Sequence, residues 1–276
     1  MARLKNFYLY PYSGWEEIPW GEARGSVGPY GDETLDLDAA ARTSRRVFEA
    51  VSFGMGALGV DSRRSSYGLG SFASEGSSVE LHQNFRSSAE GFLGNVGIPK
   101  GFRFLAPNLR AELLLGALSV TIDTLATHEG WDPAAARSVV AKFRDSAYAC
   151  MWSSGWKSSR DRKLRVQITM RLADDGYSRW KLVVADAHSE EVARQTEEVL
   201  GWTWIENCMR SFKSMKFVSS RVLEVGSGSG ILNRTVKVDI ETGQVQRVAP
   251  DPVPLSYPGD HARLADVPKL IVFRED

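Results

Sequence analysis

This chain lacks most of the residue patterns from which a function is usually read. Its two cysteines, Cys150 and Cys208, are too few for a disulfide framework. No Cys-x-x-Cys occurs, so neither a structural zinc site nor a redox pair is indicated. The cysteines read as two buried thiols acting as small hydrophobes, with a single bond between them as the other arrangement. Charge of one sign is missing too. Thirty-four Lys and Arg balance 34 Asp and Glu, so there is no overall field for nucleic acid or anionic lipid. Long apolar runs are absent: the most apolar stretch, Ala111 to Ile122, contains Glu112 and falls short of the roughly 20 residues a bilayer span needs. No apolar core follows the charges of the N-terminal Met-Ala-Arg-Leu-Lys-Asn-Phe-Tyr, so no secretory leader and a cytoplasmic location are expected. Histidines 82, 128, 188 and 261 are scattered without His-x-x-x-His spacing, and no metal is expected. Neither a phosphate-binding Gly-x-x-x-x-Gly-Lys-Ser/Thr loop nor a Gly-x-Ser-x-Gly nucleophile turn is present.

What remains describes an ordinary folded protein. Of the 276 residues, 43% are hydrophobic and 25% charged, which fits one large or two ordinary domains. Residues 4–12 are aromatic and predict a first strand; residues 13–35 are rich in glycine and read as a loop. Asp36 or Asp38 is then expected to cap a helix carrying Ala40, Ser44, Val47, Phe48, Val51, Met55 and Leu58 on one face, with Gly59 as its C-terminal cap. Residues 61–78 read as a Ser-, Gly- and Arg-rich loop, and Val79 to Phe85 as a short alternating strand. A Gly- and Pro-containing stretch from Gly91 leads to a helix over 109–125 that is apolar nearly all round, hence buried on most sides. Asp132-Pro133 opens its antiparallel partner, which carries Ala136, Val139, Val140 and Phe143.

The pattern changes after Trp152. Leu164, Val166, Ile168, Met170 and Leu172 alternate with polar residues, Asp174-Asp175-Gly176 makes a turn, and Trp180, Leu182 and Val184 return. That predicts a hairpin with one buried face. A helix is expected from Ser189, with strands near 214–225, 231–240 and 244–249, and a last strand over Leu270 to Phe273. The expected class is α+β: an antiparallel sheet built from hairpins with helices packed on one face, plus a largely helical N-terminal half. The divisions read as a mixed, mainly helical region over 1–155, an antiparallel sheet with one inserted helix over 156–250, and a Pro-rich tail over 251–276; one domain could hold all three.

Three groups of residues carry chemistry worth weighing. Residues 156–181 hold Lys157, Arg160, Arg162, Lys163, Arg165, Arg171, Arg179 and Lys181 against Asp161, Asp174 and Asp175, a local excess of +5. If the hairpin buries its apolar face, its cations emerge together on the other. Such a face suits an acidic protein surface or a phosphate backbone. Otherwise it is an ordinary solvated sheet face whose carboxylate partners lie elsewhere in the fold. Glu80, His82, Asn84 and Arg86 share one side of a strand, either as an acid–base group or as the wet face of an edge strand. Finally, Val222-Leu223-Glu224-Val225-Gly226-Ser227-Gly228-Ser229-Gly230 is an apolar strand, an acid and a glycine-rich turn. It resembles the first motif of S-adenosylmethionine-dependent methyltransferases. The resemblance implies that Glu224, Gly226, Gly228 and Gly230 would meet that cofactor. It covers nine residues, and the 46 that follow Gly230 are too few for the remaining strand–helix units of such a fold. The leading expectation is therefore a non-catalytic binding protein without a cofactor, with a macromolecular partner of acidic surface or a nucleic acid, and no membrane.

Overall fold

The computed structural model describes residues 2–10, 30–84, 91–189, 191–201, 205–226, 235–247, 251, 253–259 and 268–274. In chain order the elements begin with β1 (Ala2–Arg3), β2 (Asn6–Tyr10), α1 (Asp32–Leu58), β3 (Asp61–Ser62), β4 (Ser66–Ser74), β5 (Val79–Gln83) and β6 (Phe92–Pro99). Next come α2 (Pro107–Glu129), α3 (Pro133–Asp145), β7 (Cys150–Ser153), β8 (Lys157–Ser158), β9 (Leu164–Leu172), β10 (Ser178–Asp186), β11 (Val192–Gln195) and β12 (Val199–Leu200). The chain continues through α4 (Ile205–Lys213), β13 (Lys216–Phe217), β14 (Val222–Val225), β15 (Val236–Asp239), β16 (Val245–Gln246) and β17 (Leu270–Arg274). Helices and sheets together make the protein α+β. Two compact units form: residues 1–150, 174–176 and 254–276, and residues 151–173 and 177–253.

The first unit is built on a five-stranded sheet ordered β17-β5-β6-β4-β2. The expectation of hairpin pairing alone is corrected here: β2–β4, β4–β6 and β17–β5 run parallel, and only β5–β6 is antiparallel. Helix α1 packs on β2, β4 and β6, α2 on β5 and β17, and α3 on α1 and α2. Tyr67, Leu69, Val79, Leu81, Val96 and Ile98 supply the buried side of the sheet. The N-terminal half is therefore only partly helical. The expected loop over 61–78 contains the nine-residue strand β4. Glycines at 68 and 70 disguise it, because a side chain at either would strike the Tyr10 ring or the Asn95 amide.

Helix α1 starts at Asp32, four residues before Asp36 and six before Asp38, the expected caps. Asp36 does cap, but elsewhere: its oxygens accept the backbone N–H of Gly101 (2.7 Å) and Arg103 (2.9 Å) at the short turn Phe102–Phe104. Gly59 closes α1 in the left-handed region at φ 68°. The α2–α3 hairpin forms as expected, with Gly130 ending α2 and the Asp132 side chain accepting the Ala134 N–H.

In the second unit, β9 and β10 pair antiparallel with Leu172 opposite Ser178 and Leu164 opposite Asp186. The predicted hairpin is present over its full length. Val166, Ile168, Met170, Trp180, Leu182 and Val184 are buried on one side. Helix α4 covers part of that side: Phe212 stacks on Trp152 at 5.5 Å and meets Trp180 edge-on at 6.0 Å, and Cys208 lies 3.2 Å from Ser178 Oγ. The helix expected from Ser189 is overturned. Residues 192–195 and 199–200 are β11 and β12, both antiparallel to β10, and the helix comes later at α4. Strands β13 to β16 form a second, antiparallel sheet in sequence order. The Glu241–Gly243 turn joins β15 to β16, with Gly243 at φ 76°. Both cysteines are buried, and neither is in a disulfide.

Candidate functional site

Pairing fixes which cations of the hairpin share a face. Arg171 lies opposite Arg179, Thr169 opposite Lys181, Gln167 opposite Val183 and Arg165 opposite Ala185. Side chains alternate along a strand, so all eight project to the opposite side, where Val183 and Ala185 are nonetheless buried. The eight cations do not form one patch, however. Arg171, Arg179 and Lys181 gather near the hairpin turn. Arg165 stands six residues from Arg171, about 20 Å along an extended strand, beside Arg162 and Lys163 in the loop before β9.

Each group has a different local chemistry. At the turn end, Arg171 grips Glu198 with a two-pronged contact, Nε to Oε1 and a terminal nitrogen to Oε2, both at 2.8 Å. That hydrogen bonding, aided by the charges of Arg171, Arg179 and Lys181 and opposed by burial, holds the Glu198 carboxyl below its ordinary range. The Glu198 carboxylate thus feels three cations. At the far end, the Arg165 guanidinium lies over the Trp156 ring, 4.4 Å from its centre, and Trp156 is exposed. No aromatic was expected on this face; Trp156 comes from the segment before β8. Lys157 and Arg160 brace the structure: they donate to the backbone carbonyls of Met215 and Phe217 beside β13.

The second group lies on the side of the first unit's sheet away from the helices. Glu80 accepts from Ser74 Oγ at 2.6 Å, and its other oxygen is 3.0 Å from His82 Nε2. The bonds from Ser74 and then His82 outweigh burial and keep this carboxyl low. The carboxylate stands between the serine and the imidazole, so His82 does not reach the Ser74 hydroxyl as a base would. His82 stacks on Phe273 at 4.5 Å and meets Phe72 at 5.4 Å. Gly97 of β6 makes this row of rings possible, because a side chain there would crowd the Phe72 ring at 2.9 Å. Asn84 follows β5, and Arg86 lies outside the described residues.

Glu224 of the glycine-rich motif sits on β14, which has antiparallel neighbours on both sides, and it pairs with Lys216 at 2.8 Å. Gly226 follows β14; Gly228 and Gly230 lie outside the described residues. Among the described residues, no three or more His, Cys, Asp or Glu side chains converge to hold a metal, and no helix is long and apolar enough to cross a membrane.

Sequence reasoning missed a buried ionic network in the first unit. Asp38 and Arg42, fully enclosed, pair at 2.6 Å, and Tyr257 donates to Asp38 at 3.1 Å. Arg46 reaches Asp174 at 2.7 Å. Arg110 donates to the carbonyls of Arg103, Leu105 and Tyr257. Burial lowers the pKa of both Arg46 and Arg110, and burial beside Asp38 drives the Tyr257 phenol far up. The i, i+4 spacing of Asp38, Arg42 and Arg46 was the available signal, though on sequence alone it matches a solvent-facing helix row. Nearby, Asp32, Glu33, Asp36 and Glu75, with Lys100, line a cleft of about 540 Å³. Its four carboxylates disfavour an anionic occupant.

Compared with protein-family models, curated proteins and solved structures, the chain finds no match.

Proposed function

We propose that the protein is a non-catalytic binding module whose hairpin receives a carboxylate-rich protein surface between Arg171, Arg179 and Lys181. The observation that carries this reading is Glu198, already seated in the arginine fork. An arginine–carboxylate fork is directional and specific. This one is exposed on both sides, with 47% and 42% of the two side chains accessible. Exposed pairs of this kind contribute only about 0.2–1 kcal/mol. A partner carrying several carboxylates can therefore replace Glu198 at little cost and set further carboxylates against Arg179 and Lys181. The Arg165–Trp156 pair at the other end of the face offers a second contact, since arginine and tryptophan carry much of the energy in protein interfaces.

Fluorescence anisotropy of a labelled polyglutamate peptide tests the reading, with a single-stranded oligonucleotide of equal charge alongside. The peptide should bind, binding should weaken with salt, and Arg171→Glu/Arg179→Glu/Lys181→Glu should abolish it while the circular dichroism spectrum stays native. Preference for the oligonucleotide would replace the proposed partner with a nucleic acid. Binding unchanged by the triple reversal would remove the site altogether.

A further inference from the structure

Strand β17 forms one edge of the first unit's sheet, with β5 on one side and, among the described residues, no strand on the other. Its residues Ile271, Val272 and Phe273 are 43%, 36% and 44% exposed. Proteins usually blunt such an edge with a proline, an inward-pointing charge, a bulge or a covering segment. Leu270 to Arg274 contains no proline, and its pairing with β5 runs through five consecutive partners without a register shift. The only charge is Arg274, at the end.

The direction of the free backbone groups can be derived. The Lys269 carbonyl accepts from the Val79 N–H, so Lys269 turns its backbone toward β5. Backbone groups alternate sides along a strand, so Ile271 and Phe273 also face β5, and Leu270, Val272 and Arg274 turn outward. We infer that this edge pairs with β17 of a second copy of the chain, antiparallel about a two-fold axis through Val272. In that register Val272 meets Val272 of the other copy, and Leu270 meets Arg274 in both directions. All the outward donors and acceptors are used, in about six hydrogen bonds. Ile271 lies opposite Phe273, an aromatic–branched pair at the close, non-hydrogen-bonded position. The two Arg274 residues stand at opposite ends, about 13 Å apart along the strand. A parallel pairing would set them side by side, about 5 Å apart. Charge and hydrogen bonding thus choose the same, closed arrangement, in which each copy presents the same strand.

One strand pair buries less than the roughly 1,200–2,000 Å² of a stable interface, so a reversible dimer in the micromolar range is expected. Sedimentation velocity from micromolar to several hundred micromolar tests this. The mass should rise from 30.5 kDa toward twice that value. Val272→Pro removes an outward N–H while leaving the β5 ladder intact, which an edge strand tolerates. It should stay monomeric with a native circular dichroism spectrum. Should Val272→Pro fail to fold, Phe273→Lys gives the same reading by placing a charge opposite Ile271. Three results would overturn the inference: a wild-type monomer throughout, a dimer that survives the variants, or a mass that climbs past the dimer with concentration.

Discussion

Removing Asp38 tests whether the buried network holds the first unit together. Asp38→Ala leaves the Arg42 guanidinium enclosed without the carboxylate 2.6 Å away, and deprives Tyr257 of its acceptor. Breaking a buried pair from one side costs about 3–5 kcal/mol, because the remaining charge stays desolvated. Alanine is the best helix former, so local propensity works against the expected loss. For a transition of this size each kcal/mol lowers Tm by about 2–4 °C, which gives a fall of roughly 6–20 °C. The control is Glu206→Ala in α4. Glu206 and Arg210 have the same i, i+4 spacing and the same 2.6 Å separation, but their side chains are 65% and 69% exposed. An exposed helical pair contributes about 0.3–0.5 kcal/mol. Urea denaturation followed by far-ultraviolet circular dichroism reads both variants, with the slope checked for constancy. Equal losses from the two pairs, or an Asp38→Ala change below about 1 kcal/mol, would refute the argument that burial decides what the pair contributes.

Other outcomes follow from the same geometry. Glu198→Gln should tighten polyglutamate binding about two- to five-fold, the equivalent of the exposed pair it removes; weaker binding would mean that Glu198 organises the site instead of competing for it. Gly94→Ala should destabilise strongly, since Gly94 sits at φ 137° and a side chain there would overlap the His82 carbonyl, whereas Gly130→Ala at φ 72°, with open space around it, should cost only about 1–2 kcal/mol. Burial raises the Glu112 pKa, but bonds from Arg144 and Tyr148 outweigh it and hold the carboxyl below its ordinary 4.5. A lowered carboxyl stabilises above its unfolded pKa and loses that contribution as pH falls. The stability gap between wild type and Glu112→Gln should therefore be full at neutral pH and close as pH falls below 4.5; a constant gap would contradict the assignment. Ellman's reagent should label Cys150 and Cys208 only after unfolding, because both thiols are buried and outside any disulfide.

The β9–β10 hairpin was legible because strict alternation over nine residues leaves one choice of buried face. The α2–α3 pair was legible because Asp132-Pro133 marks a helix start just after the apolar stretch over 109–125. Residues 192–200 misled because Val192, Thr196, Val199 and Leu200 satisfy a helical stripe equally well. Their state is decided by the free edge of β10, whose Leu182 N–H bonds to Thr196 Oγ1 at 3.0 Å. Strand β4 was hidden by the glycines that its aromatic neighbours require. In the candidate site, the cations were readable, and the six-residue step from Arg165 to Arg171 already separates them into two ends. What could not be read is that Lys157 and Arg160 donate to the carbonyls of Met215 and Phe217. Glu198 and Trp156 come from segments whose place beside the ribbon no local pattern encodes.

The most direct measurement is a two-dimensional amide NMR titration of the protein with polyglutamate peptide at low salt. Resonances of residues 169–181 and 198 should move together and saturate, while those of the first unit's sheet stay still. Perturbations spread thinly over surface lysines and arginines everywhere, or centred away from Arg171 and Arg179, would show that this face is not where the protein meets its partner.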